Sequence, residues 1–454
     1  MAVRVIIVRH GQSTYNIENR IQGRMDVSVL TEKGRNEAVL VGQALAGINF
    51  SAIYASPLKR AKETAEIISG ELRAKQPDSP LPQTIDNLQE IDLRLWEGLL
   101  ATEVKEKYPE EEKAWRERPW ELKMVVPNPD STQENTTEFY PLLELYNQAR
   151  QFWQDILSLH QGETILVVAH NCINRCLIST ALGVPQTHFH AIKQSNCCIN
   201  VLNFSLGLGE AVQLESMNQT SHLGQILPGL KGNHQGLRLL LVRHGETEWN
   251  RQGKFQGQID VPLNDNGRLQ AQKAGEFLKD VEIDFAVSST MQRPLETAQI
   301  ILNHHKSVNL ELDAGLREIS HGLWEGKFEK EIEQEFPGEL ESWRTQPEKV
   351  QMPEGENLLQ VSDRAITAWQ SIIQAPNHQG KTGLVVAHDA TNKTLLCHIL
   401  GLSTENFWNF RQGNGAVSVI DYPSGPNSLP ILQAMNITSH LTGGVLDKTA
   451  AGAL

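Results

Sequence analysis

Two arginines, two histidines, an asparagine and a glutamate occur twice along the chain in the same order. They are Arg9, His10, Asn16, Arg60, Glu90 and His170, then Arg243, His244, Asn250, Arg293, Glu318 and His388. Many guanidiniums against few carboxylates do not resemble a metal site, and neither a metal nor another cofactor is expected. The set suits phosphate. A phosphoryl group in transfer spreads charge over its equatorial oxygens, which arginine forks and a protonated histidine stabilise without a metal cation. A histidine held in the tautomer that frees its other ring nitrogen can attack phosphorus and carry the group covalently. A carboxylic acid whose pKa is raised by the dianion can protonate the leaving oxygen and then take a proton from water. Arg9 and Gly11 favour His10 over His170 as nucleophile, because glycine allows close backbone approach, yet the residue types alone leave the choice open.

The repetition extends well beyond these six positions. Val8 to Thr14 recurs at Val242 to Glu248, an offset of 234, and Ser56-Pro57-Leu58-Lys59-Arg60 recurs at Ser289 to Arg293, an offset of 233. Glu90-Ile91 with Trp96-Glu97-Gly98 recurs at 228, and Val167-Val168-Ala169-His170 recurs at 218. The first copy is therefore longer in its middle by 234 − 218 = 16 residues. Copies of about 200 residues are large enough for a core each, so they read as duplicated domains and not as solenoid units. The expected division is domain 1 at 1–223, a linker at 224–236, domain 2 at 237–441 and a flexible tail at 442–454. The linker assignment rests on four glycines and one proline in 13 residues.

Short, nearly continuous apolar runs at Val3 to Val8, Ile165 to Ala169, Leu237 to Val242 and Gly383 to Ala387 predict strands buried on both faces of a parallel sheet. Helical patterns between them, such as Glu32 to Ala46 and Ala61 to Ile68, make the class α/β, with two tandem α/β/α sandwiches. His10, His170, His244 and His388 then fall at carboxyl ends of strands, where open sheets bind ligands. Ser56 before Pro57 reads as a helix N-cap, which puts Arg60 in an opening turn, and Ser289 does the same for Arg293.

These motifs resemble the histidine phosphatase superfamily, which includes the cofactor-dependent phosphoglycerate mutases. The resemblance covers over nine tenths of the chain and implies phosphoglycerate mutase-like folds in which His10 and His244 become phosphohistidines. It also implies that Glu90 and Glu318 are proton donors. Arg9, Asn16, Arg60 and His170, with Arg243, Asn250, Arg293 and His388, would hold phosphoryl oxygens. The first half is more similar still to the 2-carboxyarabinitol-1-phosphate phosphatases of plants, through Arg9 to Thr14, Glu90-Ile91-Asp92-Leu93 and Gln194-Ser195-Asn196-Cys197. This implies a phosphorylated sugar or sugar acid as substrate. Three positions depart from the family pattern. Arg94 stands where glycine is usual and is expected to narrow the first pocket or add charge to it. Gly355-Glu356-Asn357 replaces Gly-Glu-Ser in the second domain and has no recognisable counterpart in the first. Asp389 follows His388 where Asn171 follows His170, and would repel phosphate if it pointed inward.

Composition limits the alternatives. The chain has 454 residues, 40% of them apolar, and a net charge of −13, which works against a nucleic-acid surface. No apolar run reaches the ~18 residues that cross a bilayer, and the first residues open directly into a strand. Five cysteines, an odd count, suit a reducing cytosol. Cys172 and Cys176 are expected to pack as small apolar residues, and Trp96, Trp115, Trp120, Trp324 and Trp343 to form core or pocket walls. The expected function is a cytoplasmic, metal-independent phosphomonoesterase acting on small phosphorylated metabolites, its oligomeric state left open. The alternatives are a phosphoglycerate mutase and a non-catalytic phosphate-binding scaffold. Mutases resembling this family carry a long water-excluding insertion between acid and last histidine. Here that interval is 170 − 90 = 80 and 388 − 318 = 70 residues, which favours hydrolysis. A scaffold would not need both glutamates.

Overall fold

The computed structural model describes residues 2–127, 136–230 and 236–446. Residues 231–235 of the expected linker and 447–454 of the expected tail lie outside them. The chain divides into two compact units, Met1–Leu214 and Glu215–Leu454. The division falls inside the strand Val212–Gln219, ahead of the linker read from composition.

In the first unit the strands run in the order Ile199–Phe204, Val3–Arg9, Thr164–Ala169, Ala52–Ala55, Pro82–Thr84. All neighbours are parallel except the first pair. The central strands read as unbroken Val/Ile/Leu runs because both faces are covered: Val5, Ile6, Ile7, Val8 and Ile165 to Val168 are fully buried. Helices Glu32–Leu45 and Lys59–Lys75 pack on each other, as do Pro141–Leu157 and Asn171–Leu182.

The second unit repeats this plan in the order Leu310–Asp313, Phe285–Ser289, Thr382–Ala387, Leu237–Arg243, Val417–Tyr422, Ile431–Ile437, with the last two strands antiparallel. Both units are mostly parallel α/β sandwiches. Most of the extra length in the first copy is a hairpin, Met124–Pro127 paired with Thr136–Phe139. The offset between copies is 347 − 119 = 228 before it, at Pro119, and 369 − 153 = 216 after it, at Trp153, a difference of 12 residues. No helix among the described residues is long and apolar enough to cross a membrane.

Candidate active site

Register brings the first cluster together. Arg9 pairs with Ala169, and Ala55 with Val168. His10 N donates to Ala169 O at 2.9 Å and Ser56 N to Val168 O at 3.0 Å. Three adjacent parallel strands therefore release His10, His170 and Ser56 at one level of the sheet. The rings of His10 and His170 meet edge-on with centroids 5.1 Å apart, and those of His244 and His388 do so at the same distance.

A single hydrogen bond sets the tautomer of the first histidine. His10 Nδ1 lies 2.8 Å from Gly11 O, and His244 Nδ1 lies 2.7 Å from Gly245 O. A carbonyl can only accept, so Nδ1 carries the proton and Nε2 keeps its lone pair. In the second unit Arg293 Nε donates to His244 Nε2 at 3.2 Å. Burial, then the charges of Arg9 and Arg60, push His10 well below the ordinary imidazole range. Burial with Arg293 and Arg243 does the same for His244.

The second histidine differs from the sequence expectation of a protonated ring. Burial first, and then Arg60, hold His170 well below its usual pKa, and burial with Arg293 acts likewise on His388. Both are neutral near pH 7, and the positive charge of the site resides on guanidiniums. His170 Nε2 is hydrogen-bonded to Ser56 Oγ at 2.7 Å and His388 Nε2 to Ser289 Oγ at 2.9 Å. These serines are not the N-caps they were expected to be. The helices begin at Lys59 and Gln292, with Leu58 and Met291 at the cap and no side-chain cap bond. The arginines do occupy opening turns. Arg60 is fully buried, donating to Gly23 O at 2.8 Å, and Arg293 donates to Gly257 O at 2.7 Å. Burial brings each guanidinium down to about 10, so both stay charged.

The other two phosphate ligands expected in each copy are held by a loop the sequence reading gave no role. Arg9 Nη1 donates to Gln194 O at 2.8 Å and Arg243 Nη1 to Gln412 O at 2.6 Å. Asn196 Nδ2 donates to His10 O and to Asn16 Oδ1, at 3.0 and 3.1 Å. Asn414 repeats both contacts on His244 and Asn250. Because Ser13 N also donates to Asn16 Oδ1, the amide oxygen is committed to the protein and the amide is left to act as a donor. The available signal was the recurrence of Gln194-Ser195-Asn196 as Gln412-Gly413-Asn414 at the 218 offset.

Glu90 completes the first cluster. Its Oε1 accepts from Ile91 N, Cys172 N and Ile173 N at 2.9, 3.2 and 3.2 Å, and its Oε2 from Cys172 N at 3.1 Å. The carboxyl thus sits on the amino end of the helix that follows His170, where free backbone N–H groups favour an anion. Glu318 sits likewise on Asp389 N and Ala390 N, both at 3.1 Å. Burial, then the like charge of Asp389, raises the Glu318 pKa.

The departures also have structural roles. Arg94 is half-exposed, bonds Asp92 through Nε at 3.0 and 3.1 Å, and lies over the Phe139 ring at 5.2 Å, so its charge is largely shared with Asp92. Glu356 accepts from Ser320 N at 2.9 Å and pairs with Arg364 at 2.8 Å, and Arg364 Nη2 donates to Glu318 O, which anchors the acid's segment. In the first unit Arg24 takes that place, donating to Glu90 O at 3.0 Å and to Gln148 Oε1 at 2.9 Å. Asp389 is buried and paired with Arg243 and Lys393. All five cysteines are buried free thiols, and Trp96, Trp324 and Trp343 are core. Among the described residues no group of three or more His, Cys, Asp or Glu side chains could hold a metal.

Two regions of the chain, 5–218 and 239–434, match the family model described as "Histidine phosphatase superfamily (branch 1)". The chain is a phosphatase of the histidine phosphatase superfamily. It is 33% identical over 453 residues to a wheat (Triticum aestivum) 2-carboxy-D-arabinitol-1-phosphatase, covering 97% of this chain and 87% of that one. Phosphoserine phosphatase 1 of Hydrogenobacter thermophilus is 32% identical over 207 residues, 45% of this chain and 94% of its own. A probable phosphoglycerate mutase, GpmB of Citrobacter koseri, is 34% identical over 218 residues, 47% of this chain and 98% of its own.

Proposed function

We propose that each unit hydrolyses small phosphate monoesters through its own phosphohistidine, on His10 and on His244, without a metal. The observation that carries this is the Nδ1 hydrogen bond to the neighbouring carbonyl, present in both copies. It leaves the Nε2 lone pair of a neutral ring beside buried arginines, Arg9 and Arg60 in one unit and Arg243 and Arg293 in the other. Nε2 attacks phosphorus as the ester P–O bond breaks, and Glu90 or Glu318 gives its proton to the departing oxygen. Water then attacks phosphorus, the glutamate takes back a proton, and phosphate leaves with the imidazole restored. Arg9, Arg60, Asn16 and His170, and their counterparts Arg243, Arg293, Asn250 and His388, hold the equatorial oxygens throughout.

The substrate is a phosphorylated sugar or sugar acid. The full-length alignment to the wheat enzyme makes 2-carboxyarabinitol 1-phosphate the specific candidate. Buried free thiols suit a reducing cytoplasm. The test is trapping of acid-labile, base-stable label from a phosphodonor. Label should appear on both His10 and His244, and His10→Ala should remove the first and leave the second. Label that persists in the protein carrying both His10→Ala and His244→Ala would move the nucleophile elsewhere. Turnover lost in EDTA and restored by magnesium would overturn the metal-free chemistry.

A further inference from the structure

In the second unit the chain supplies a carboxylate of its own between two cations. Asp389 Oδ1 lies 3.2 Å from Arg243 Nη1, and its Oδ2 lies 2.7 Å from Lys393 Nζ. These residues are 1%, 1% and 5% exposed in the order Asp389, Arg243, Lys393. Lys393 Nζ also rests on two rings, 5.0 Å from Phe407 and 4.4 Å from Trp408. At the same offset of 218, Lys393 corresponds to Arg175, Phe407 to Phe189 and Asp389 to Asn171. The first unit has kept the cation on its aromatic shelf, with the Arg175 guanidinium 5.4 Å from the Phe189 ring, and has an amide where the carboxylate stands.

That exchange leaves Arg9 and Arg175 without the carboxylate that sits between Arg243 and Lys393 in the second unit. Arg175 Nη1 is hydrogen-bonded to His190 Nδ1 at 3.3 Å, and the buried Nε atoms of Arg9 and Arg175 have no hydrogen-bond partner among the described residues. Arg175 lies one turn after Asn171, and helical side chains lean toward the amino end, here the end that cradles Glu90. Burial lowers the Arg9 pKa, Glu90 counteracts this in part, and the like charge of Arg175 lowers it further, which places the two guanidiniums close together beside Glu90.

We propose that Arg175, with Arg9 at its inner edge, receives a carboxylate carried by the substrate, in the place that Asp389 fills in the second unit. The first site is then selective for phosphate esters of hydroxy acids, and the second for esters whose remainder is uncharged. This rests on the reading of His10 and His244 as separate phosphoryl acceptors.

The test uses the full chain with one site silenced, His244→Ala to read the first and His10→Ala to read the second. The substrates are 3-phosphoglycerate and glycerol 3-phosphate, which differ only in carboxylate against hydroxymethyl, with p-nitrophenyl phosphate as reference. The ratio of kcat/KM, acid over alcohol, should be about tenfold or more higher in the His244→Ala protein, the size of a desolvated charged contact. Arg175→Met in that background should cut the ratio by a similar factor, mainly through KM. Asn171→Asp, which adds a carboxylate without deleting any packing, should also cut it. Equal ratios in the two silenced proteins, or a ratio indifferent to both substitutions while p-nitrophenyl phosphate still turns over, would overturn the inference and leave the phosphohistidine reading standing. Loss of p-nitrophenyl phosphate turnover from the His244→Ala protein would overturn that reading for the first unit, and the inference with it.

Discussion

An imidazole attacks phosphorus only through an unprotonated nitrogen, so with His10 as the proposed nucleophile the pH at which it gains a second proton sets the acid limb of the reaction. Burial, Arg9 and Arg60 place that pH well below 6.5. Turnover of p-nitrophenyl phosphate, corrected for the ester's own ionisation, should therefore persist as pH falls through 6.5. A loss centred there would indicate an ordinary solvated ring. The acid is separable by leaving group. Glu90→Gln should slow sugar phosphates by about 10² to 10⁴-fold and p-nitrophenyl phosphate far less, because its leaving group hardly needs a proton; equal slowing of both would remove Glu90 from that role. With Glu318 as the proposed donor in the second unit, the carboxyl must be protonated, and its raised pKa keeps it so to higher pH. Asp389→Asn removes a like charge, so the basic limb of kcat/KM for alkyl phosphates should move to lower pH; an unmoved limb would mean that Asp389 does not act on Glu318. Arginine, histidine and glutamate were legible in the sequence because few residue types can do this chemistry. Ser56, Gln194 and Asn196 were not, because a hydroxyl or a carbonyl acquires its role only from the strand end it faces.

At the scale of elements, the site depends on how closely a strand end and a helix start approach. A Cβ on Gly11 would lie 2.3 Å from Gly34 O, and one on Gly34 would lie 2.1 Å from Gln12 O. Gly245 and Gly267 repeat this at 2.3 and 2.0 Å. The neighbour in each case is backbone, which cannot swing aside. Gly34→Ala should push the helix Glu32–Leu45 off the loop that carries His10 and cost about 1 to 3 kcal/mol. An unchanged urea midpoint would show that the helix slides freely. Gly11 was singled out in the sequence for allowing backbone approach, but its partner was not visible, because nothing local marks Gly34 as lying across from it. The strands were legible for the opposite reason: burial on both faces writes a continuous apolar run into the residues themselves. The hairpin of Met124–Pro127 and Thr136–Phe139 has no such run. Only the 16-residue surplus of the first copy pointed to it.

At the scale of the molecule, the duplication was legible from motif order alone, whereas the place where one unit ends depends on packing. Composition puts the join at 224–236, since glycine and proline mark linkers. The second unit nonetheless packs residues from before and within that stretch. Met217, fully buried, pairs with Met435; Leu227 lies against the core that includes Leu240 and Val242; and Arg238 Nη1 donates to Pro228 O at 2.8 Å. A second unit cut at Leu237 lacks all three contacts, and one cut at Glu215 keeps them. Burying one methionine contributes about 1.5 to 3 kcal/mol, and a unit of this size gains about 2 to 4 °C per kcal/mol. The fragment 215–454 should therefore melt roughly 3 to 12 °C above 237–454, with both retaining hydrolysis at His244, since neither cut reaches the site. Equal melting temperatures would return residues 215–236 to the role of linker, and failure of both fragments to unfold cooperatively would mean that the second unit does not fold by itself.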